Sequence, residues 1–305
     1  MKTDKRKMIL AFLAPSVIAY MFVSIYPVIH STILSFFEVS AWSGSEMKFL
    51  GLNNFVDLVQ NSVFVDSFGK IGIVWLLGGV GVFGSAFVFS AILTSGIKGK
   101  SFFRAAIYLP NLIPVVAAAA MWTQYTFNMR FGLLKNIFSA LGLASLANIE
   151  WTSHSVIFWA MLIAYVWGGI GFFLLIILAG VERVPVELLE AAKLDGASML
   201  QVFVRITLPL LRDVIRVAVV MWSITVLNLF AFPQAFGQTY PEVTTPAIYL
   251  YQLAFGQAGG SSGGAGANGV VYVGKAAAAG VILTVLVVLV YGLLNMVFKE
   301  EKLEY

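Results

Sequence analysis

Few residues in this chain are set up for chemistry. Its 305 residues include no cysteine and only two histidines, His30 and His154. Disulfides and thiolate metal sites are excluded, and two histidines far apart in sequence do not make a zinc site unaided. Glu190 and Asp195 invite the reading of an acid–base pair. Acid–base work needs surroundings that shift the two pKa values and hold a substrate, whereas these acids flank Lys193 on a polar stretch that reads as a solvated or partner-facing surface. No serine–histidine–acid constellation stands out. Gly269 to Ala276, GVVYVGKA, nearly matches the phosphate loop GxxxxGK[ST], but Ala276 lacks the hydroxyl that would reach magnesium. The bland reading is a glycine-rich loop whose Lys275 marks a membrane boundary. Gly79, Gly81 and Gly84 spell GxGxxG without the strand before it or the acid after it that a dinucleotide site needs. Inside an apolar run they read instead as small residues that let helices pack closely.

Composition explains the scarcity. The chain is 60% hydrophobic and 11% charged, with a mean hydropathy of +0.90, against about 25% charged in soluble domains. Runs of about 20 apolar residues are long enough to cross a bilayer as helices, the only open-chain form that satisfies its own backbone there. The expectation is an all-α polytopic membrane protein, one domain over residues 1–305, with six spans. These run Met8 to His30, Ile71 to Ile97, Ala105 to Asn128, His154 to Gly180, Val214 to Pro233 and Ala276 to Phe298. The first follows Lys2, Lys5, Arg6 and Lys7 like a signal peptide, but it is long and aromatic and reads as a retained helix. With the N-terminus inside, 14 of the 19 Lys and Arg residues fall on the inner side. The positive-inside rule then puts both termini in the cytoplasm and accounts for the basic excess without nucleic acid. Outside, Ser31 to Lys70 is long enough to meet a soluble partner, and Gly256 to Gly274 reads as a slack Gly/Ser linker. The spans hold no Asp or Glu, so no buried carboxylate offers itself for ion coupling.

One polar, patterned segment stays on the inner side, residues 182–209. Pro185 suits a first helical turn, and Glu187 and Glu190 sit near the positive end of that helix. Gly196 offers the left-handed conformation of a C-terminal cap, and Ser198 can start a second short helix with Val202, Phe203 and Ile206 on its apolar stripe. Ala191, Ala192 and Gly196 leave little side-chain bulk, so a partner backbone can come close. Glu190 and Asp195 offer charged hydrogen bonds at the edge. The competing reading is an amphipathic hairpin resting on lipid headgroups.

That segment, EAAKLDGASMLQVFVRITLP, resembles the signature of membrane subunits of binding-protein-dependent ABC importers. Glu190, Ala191, Ala192, Gly196, Ile206, Leu208 and Pro209 fill every signature position. FFRAAIYLPNLIPVV from Phe102, the stretch Phe131 to Leu143 with Trp151, and VWGGIGFFLLIILAGVERVPVELLEAA from Val166 are similar to the carbohydrate-type branch that includes maltose and glycerol-phosphate importers. LNLFAFPQAFGQTYPEVTTP departs from the phenylalanine–aspartate and glycine-glycine-proline pattern of many members. The resemblance implies a non-catalytic permease subunit of a bacterial or archaeal cytoplasmic membrane, which itself binds no cofactor. ATP and magnesium would be used by two ATPase subunits, and a second homologous permease, an extracytoplasmic solute-binding protein and membrane lipid would complete the assembly. The coupling contact would fall on Glu190, Ala191, Ala192, Leu194, Asp195, Gly196 and Ala197. A sugar, oligosaccharide or polyol path would draw on polar and aromatic groups, with Trp122, Gln124, Tyr125 and Asn128, and Trp222, Asn228 and Gln234, as candidates. Each of these is equally at home in helix packing or as an interface anchor. Rival readings are an importer of amino acids, phosphate or polyamines, or a secondary transporter that needs no ATPase.

Overall fold

The computed structural model of the chain describes residues 2–39, 47–237, 240–256 and 271–298. Among them the only sheet is a two-stranded antiparallel ribbon that pairs Phe37 with Phe49 and Glu38 with Lys48. Four helices are long and apolar enough to cross a membrane: Ala11–Leu34, Ser62–Thr94, Ile157–Val181 and Val273–Val297. Two bent pairs, Lys100–Leu112 with Val115–Thr126 and Arg212–Leu227 with Ala231–Gly237, raise the number to six if each is one span.

The expected third span, Ala105 to Asn128, is not one straight helix; its two halves meet at 96°. Proline is the cause. Pro114 pushes the preceding residue out of the helical region, and Ile113 is extended at φ −81°, ψ 126°. The expected fifth span, Val214 to Pro233, stops at Leu227 and resumes as Ala231–Gly237 after a 46° change of direction. The second span starts at Ser62 rather than Ile71, so Lys70 is on a helix. The loop expected from Ser31 to Lys70 contains the ribbon and the helix Asn53–Gln60. A helix over Pro246–Phe255 was not anticipated. Most of the expected linker, residues 257–270, lies outside the described residues.

The chain divides into two compact units, Met1–Val65 with Tyr249–Val285, and Asp66–Ile248 with Leu286–Tyr305. In the first, buried Asn54 holds the turn into the ribbon. Its side-chain amide donates to the carbonyls of Ser35 and Phe37, both at 2.9 Å. Removing it leaves the buried Ser35 carbonyl and the partly buried Phe37 carbonyl without this donor, at a cost of roughly 2 kcal/mol. Asn54→Ala is therefore expected to lower the thermal unfolding midpoint of the detergent-solubilised chain by several degrees; an unchanged midpoint would mean that the carbonyls find other donors.

The second unit is built along Ile157–Val181, with Val74–Gly78 and Gly79–Thr94 packed beside it. Trp222 lies at its centre, 2% exposed. Its indole N–H donates to the carbonyl of Trp75 at 2.9 Å, and the Trp75 indole donates to Ser223 Oγ at 2.8 Å. The buried indole of Trp222 and the partly buried one of Trp75 thus both have a hydrogen-bond partner. A Cβ on Gly79 would stand 2.9 Å from Trp222 Nε1, and one on Gly81 2.9 Å from Val166 Cγ1. These two glycines of GxGxxG are close-packing positions, as the apolar context suggested; Gly84 faces open space.

Candidate functional site

Residues 182–209 fold as a helix, a glycine turn and a second helix. Pro185 immediately precedes the first helix, Val186–Leu194, instead of opening its first turn, and Glu187 lies in that turn. The helix ends in the bond from Ala197 N–H to the Ala192 carbonyl at 3.0 Å, with Gly196 left-handed at φ +75°. That is the cap a glycine one residue past the C-cap position, here Asp195, allows. Ser198 caps the next helix through a reciprocal box: its Oγ accepts from Gln201 N–H at 3.3 Å, and Gln201 Oε1 accepts from Ser198 N–H at 2.8 Å. The backbone is then α-helical over Met199–Val202, widens into a π-turn at Phe203–Thr207 and closes at Leu208–Leu210.

Glu190, Ala191, Leu194, Asp195 and Gly196 are exposed, Ala197 is partly covered, and Ala192 is buried inward. Leu194 is 89% exposed, close to what a free side chain would show, and a Cβ on Gly196 would meet nothing within 4 Å. This double-capped elbow presents a bare leucine beside a side-chain-free turn. Val202 and Phe203 anchor it from behind. Arg104 braces its root, pairing with Glu182 at 2.9 Å where Ile157–Val181 ends.

The path candidates fall into three groups. Trp122 is half-buried between Phe127 and Trp167, at ring separations of 5.1 and 5.5 Å, and its indole N–H is buried without a hydrogen-bond partner. Gln234 is alike: its Oε1 is buried and unpartnered on the helix Ala231–Gly237, which packs against Val115–Ala120, the turn leading into Trp122. Gln124 and Tyr125 are exposed. Asn128 and Asn228 serve the backbone. Asn128 Oδ1 accepts from the N–H groups of Arg130 and Phe131, and the Asn228 amide donates to Ile224 O at 2.8 Å. Trp222 shares an apolar cluster with Trp122 but is fully engaged in packing. Sequence reasoning missed Asn111, whose Nδ2 is buried and unpartnered in the bend, and Glu242, which pairs with His154 at 3.1 Å through one oxygen and buries the other unpartnered. No spacing rule marks either one; only the bend and the loop around Pro241 bring them inside.

Lys275 of the near-phosphate loop pairs with Asp57 at 2.8 Å, and the N–H groups of Val273 and Gly274 both donate to the carbonyl of Val39. This end of the stretch is a joint in the first unit; Gly269 and Val270 lie outside the described residues.

Residues 81–300 match the family model described as binding-protein-dependent transport system inner membrane component. The chain belongs to that family. It is thus the permease of an ABC importer, a multi-pass inner-membrane transport component rather than a catalyst. It is 33% identical over 219 residues to the trehalose/maltose transport system permease of Thermococcus litoralis, covering 69% of this chain and 70% of the relative. It is 27% identical to the diacetylchitobiose uptake permease of Streptomyces coelicolor, covering 72% of this chain and 66% of that one. The permease shares its fold with a chain in the crystal structure of a bacterial ABC transporter involved in importing the acidic polysaccharide alginate, with a TM-score of 0.80 at 22% identity and 97% coverage of both chains.

Proposed function

We propose that this permease carries a sugar, oligosaccharide or related polyol, received from an extracytoplasmic binding protein and driven by separate ATPase subunits. The observation that carries this reading is the elbow: every signature position from Glu190 to Pro209 is filled, and the segment folds into a capped, outward-facing helix with Leu194 and Gly196 bare. Relatives named for trehalose/maltose and diacetylchitobiose favour a carbohydrate cargo.

In this reading two ATPases each seat one such helix, one from this chain and one from a second homologous permease. ATP and magnesium stay in the ATPases. Nucleotide binding draws them together, the elbow moves, and Glu182 with Ile157–Val181 passes the motion to the membrane helices. The cargo meets hydrogen-bonding groups the fold leaves unspent, the Trp122 indole N–H and Gln234 Oε1, with the exposed ring of Tyr125 available for stacking.

The test is uptake of labelled solutes by the importer assembled from this chain and the products of adjacent genes, in vesicles loaded with ATP. Sugars should enter and amino acids, phosphate and polyamines should not; the reverse would overturn the cargo assignment. Trp122→Phe keeps the ring and deletes the N–H, and Gln234→Ala deletes the amide. Each removes one hydrogen bond of about 1 kcal/mol, so each should lower uptake about fivefold with ATPase association unchanged.

A further inference from the structure

The bend that breaks the third span leaves Lys100–Leu112 at 96° to Val115–Thr126. If the second helix crosses the membrane, the first runs in its plane. At 1.5 Å per residue it is about 20 Å long. One side is fixed to protein: a Cβ on Gly171 would meet the Ile107 carbonyl at 2.5 Å and Tyr108 Cα at 2.8 Å, so this helix rests directly on Ile157–Val181. The other side is bare and apolar. Phe102 is 72% exposed and Phe103 47%, and Leu109 and Leu112 are also open. Lys98 and Lys100 project at its start, and Arg104 lies half-buried a turn further on. The nearest acids along the chain are Asp66 and Glu150, and among the described residues the ion pair found for these three cations is Arg104 with Glu182.

An apolar stripe flanked by lysines, turned at right angles to a span, has the chemistry of the boundary between headgroups and acyl chains. We propose that Lys100–Leu112 is an in-plane helix that binds anionic phospholipid, with Phe102 and Leu109 among the upper acyl carbons and Lys98 and Lys100 on the phosphates. This rests on the reading of the chain as a membrane permease. It adds a lipid contact at the base of the coupling elbow, since Arg104 ties the helix to Glu182.

The chain lacks cysteine, so single labels need no background substitutions. A fluorophore on Phe102→Cys of the full-length chain is reconstituted in vesicles that contain brominated phosphatidylcholine or, at the same mole fraction, brominated phosphatidylglycerol. Both lipids should quench it, the anionic one at least twofold more strongly. Lys98→Ala with Lys100→Ala should abolish the difference and leave quenching by the neutral lipid. Equal quenching by both lipids in the unsubstituted background overturns the proposal, as does protection from both, which would place protein over this face. A second label on Val288→Cys, on the exposed side of Val273–Val297, separates the two readings. Lipid quenching at 288 without it at 102 removes the in-plane helix alone. No lipid quenching at 288 removes the membrane reading and this proposal together.

Discussion

Gly196→Trp is expected to cut ATP-driven uptake at least tenfold while the permease still folds and inserts. Two terms act at this position and can be separated. The backbone is left-handed at φ +75°, where a side chain costs roughly 1–2 kcal/mol. That strain falls on the turn alone, because a Cβ there meets nothing within 4 Å. The second term is bulk: an indole on the bare turn would hold off any surface meant to seat against Leu194 and Gly196. Gly196→Ala isolates the first term, since it adds the strained Cβ and almost no bulk, and it should leave most uptake intact. Gly196→Trp adds the second, and the ATPases should dissociate or hydrolyse ATP without transport. Normal uptake and normal ATPase co-purification with tryptophan in place would remove the elbow from the mechanism.

The elbow was legible because its information is local. Pro185, Gly196 and Ser198 each act on their own backbone, so a helix, a left-handed cap and a second start follow from sequence alone, and the structure moves only Pro185, by one position. The straight spans were legible for a similar reason: His154 to Gly180 became Ile157–Val181, and Ala276 to Phe298 became Val273–Val297. Hydropathy failed where direction mattered. It sums apolar content over a window and cannot tell a helix that crosses the membrane from one that turns along it, so the third span was read straight through Pro110 and Pro114. The path residues were the least legible. Trp122, Gln234 and Trp222 look alike as polar-tipped groups in apolar runs. What distinguishes them is whether the polar atom finds a partner, and that depends on groups far away in sequence: the Trp222 indole donates to the Trp75 carbonyl across 147 positions, and the Trp75 indole donates to Ser223 across 148.

Trp222 gives the second large effect, and it is one of stability. Gly78, Gly79 and Gly169 present bare backbone to its ring, with hypothetical Cβ contacts of 3.1 Å from Gly78 and 2.9 Å from Gly79. Tyr165, Phe173 and Phe83 surround it at ring separations of 5.9, 5.7 and 6.3 Å. Trp222→Ala opens a cavity that three glycines cannot fill and strips the Trp75 carbonyl of its indole donor. The cost is about 3–5 kcal/mol, a large share of the 5–15 kcal/mol that holds a typical fold together. The substituted permease should be recovered in low yield and melt well below the native chain. Gly79→Leu approaches the same joint from the other side by overpacking it, at about 1–3 kcal/mol. Combined with Trp222→Ala it fills part of the hole, so the double variant should be more stable than the sum of the two losses predicts. Strict additivity would mean that the ring and the glycine do not share a joint. Trp222→Phe separates packing from transport: if Trp222 lines the sugar path, uptake falls while the melting point holds, whereas the packing seen here predicts that the melting point falls first and uptake follows it.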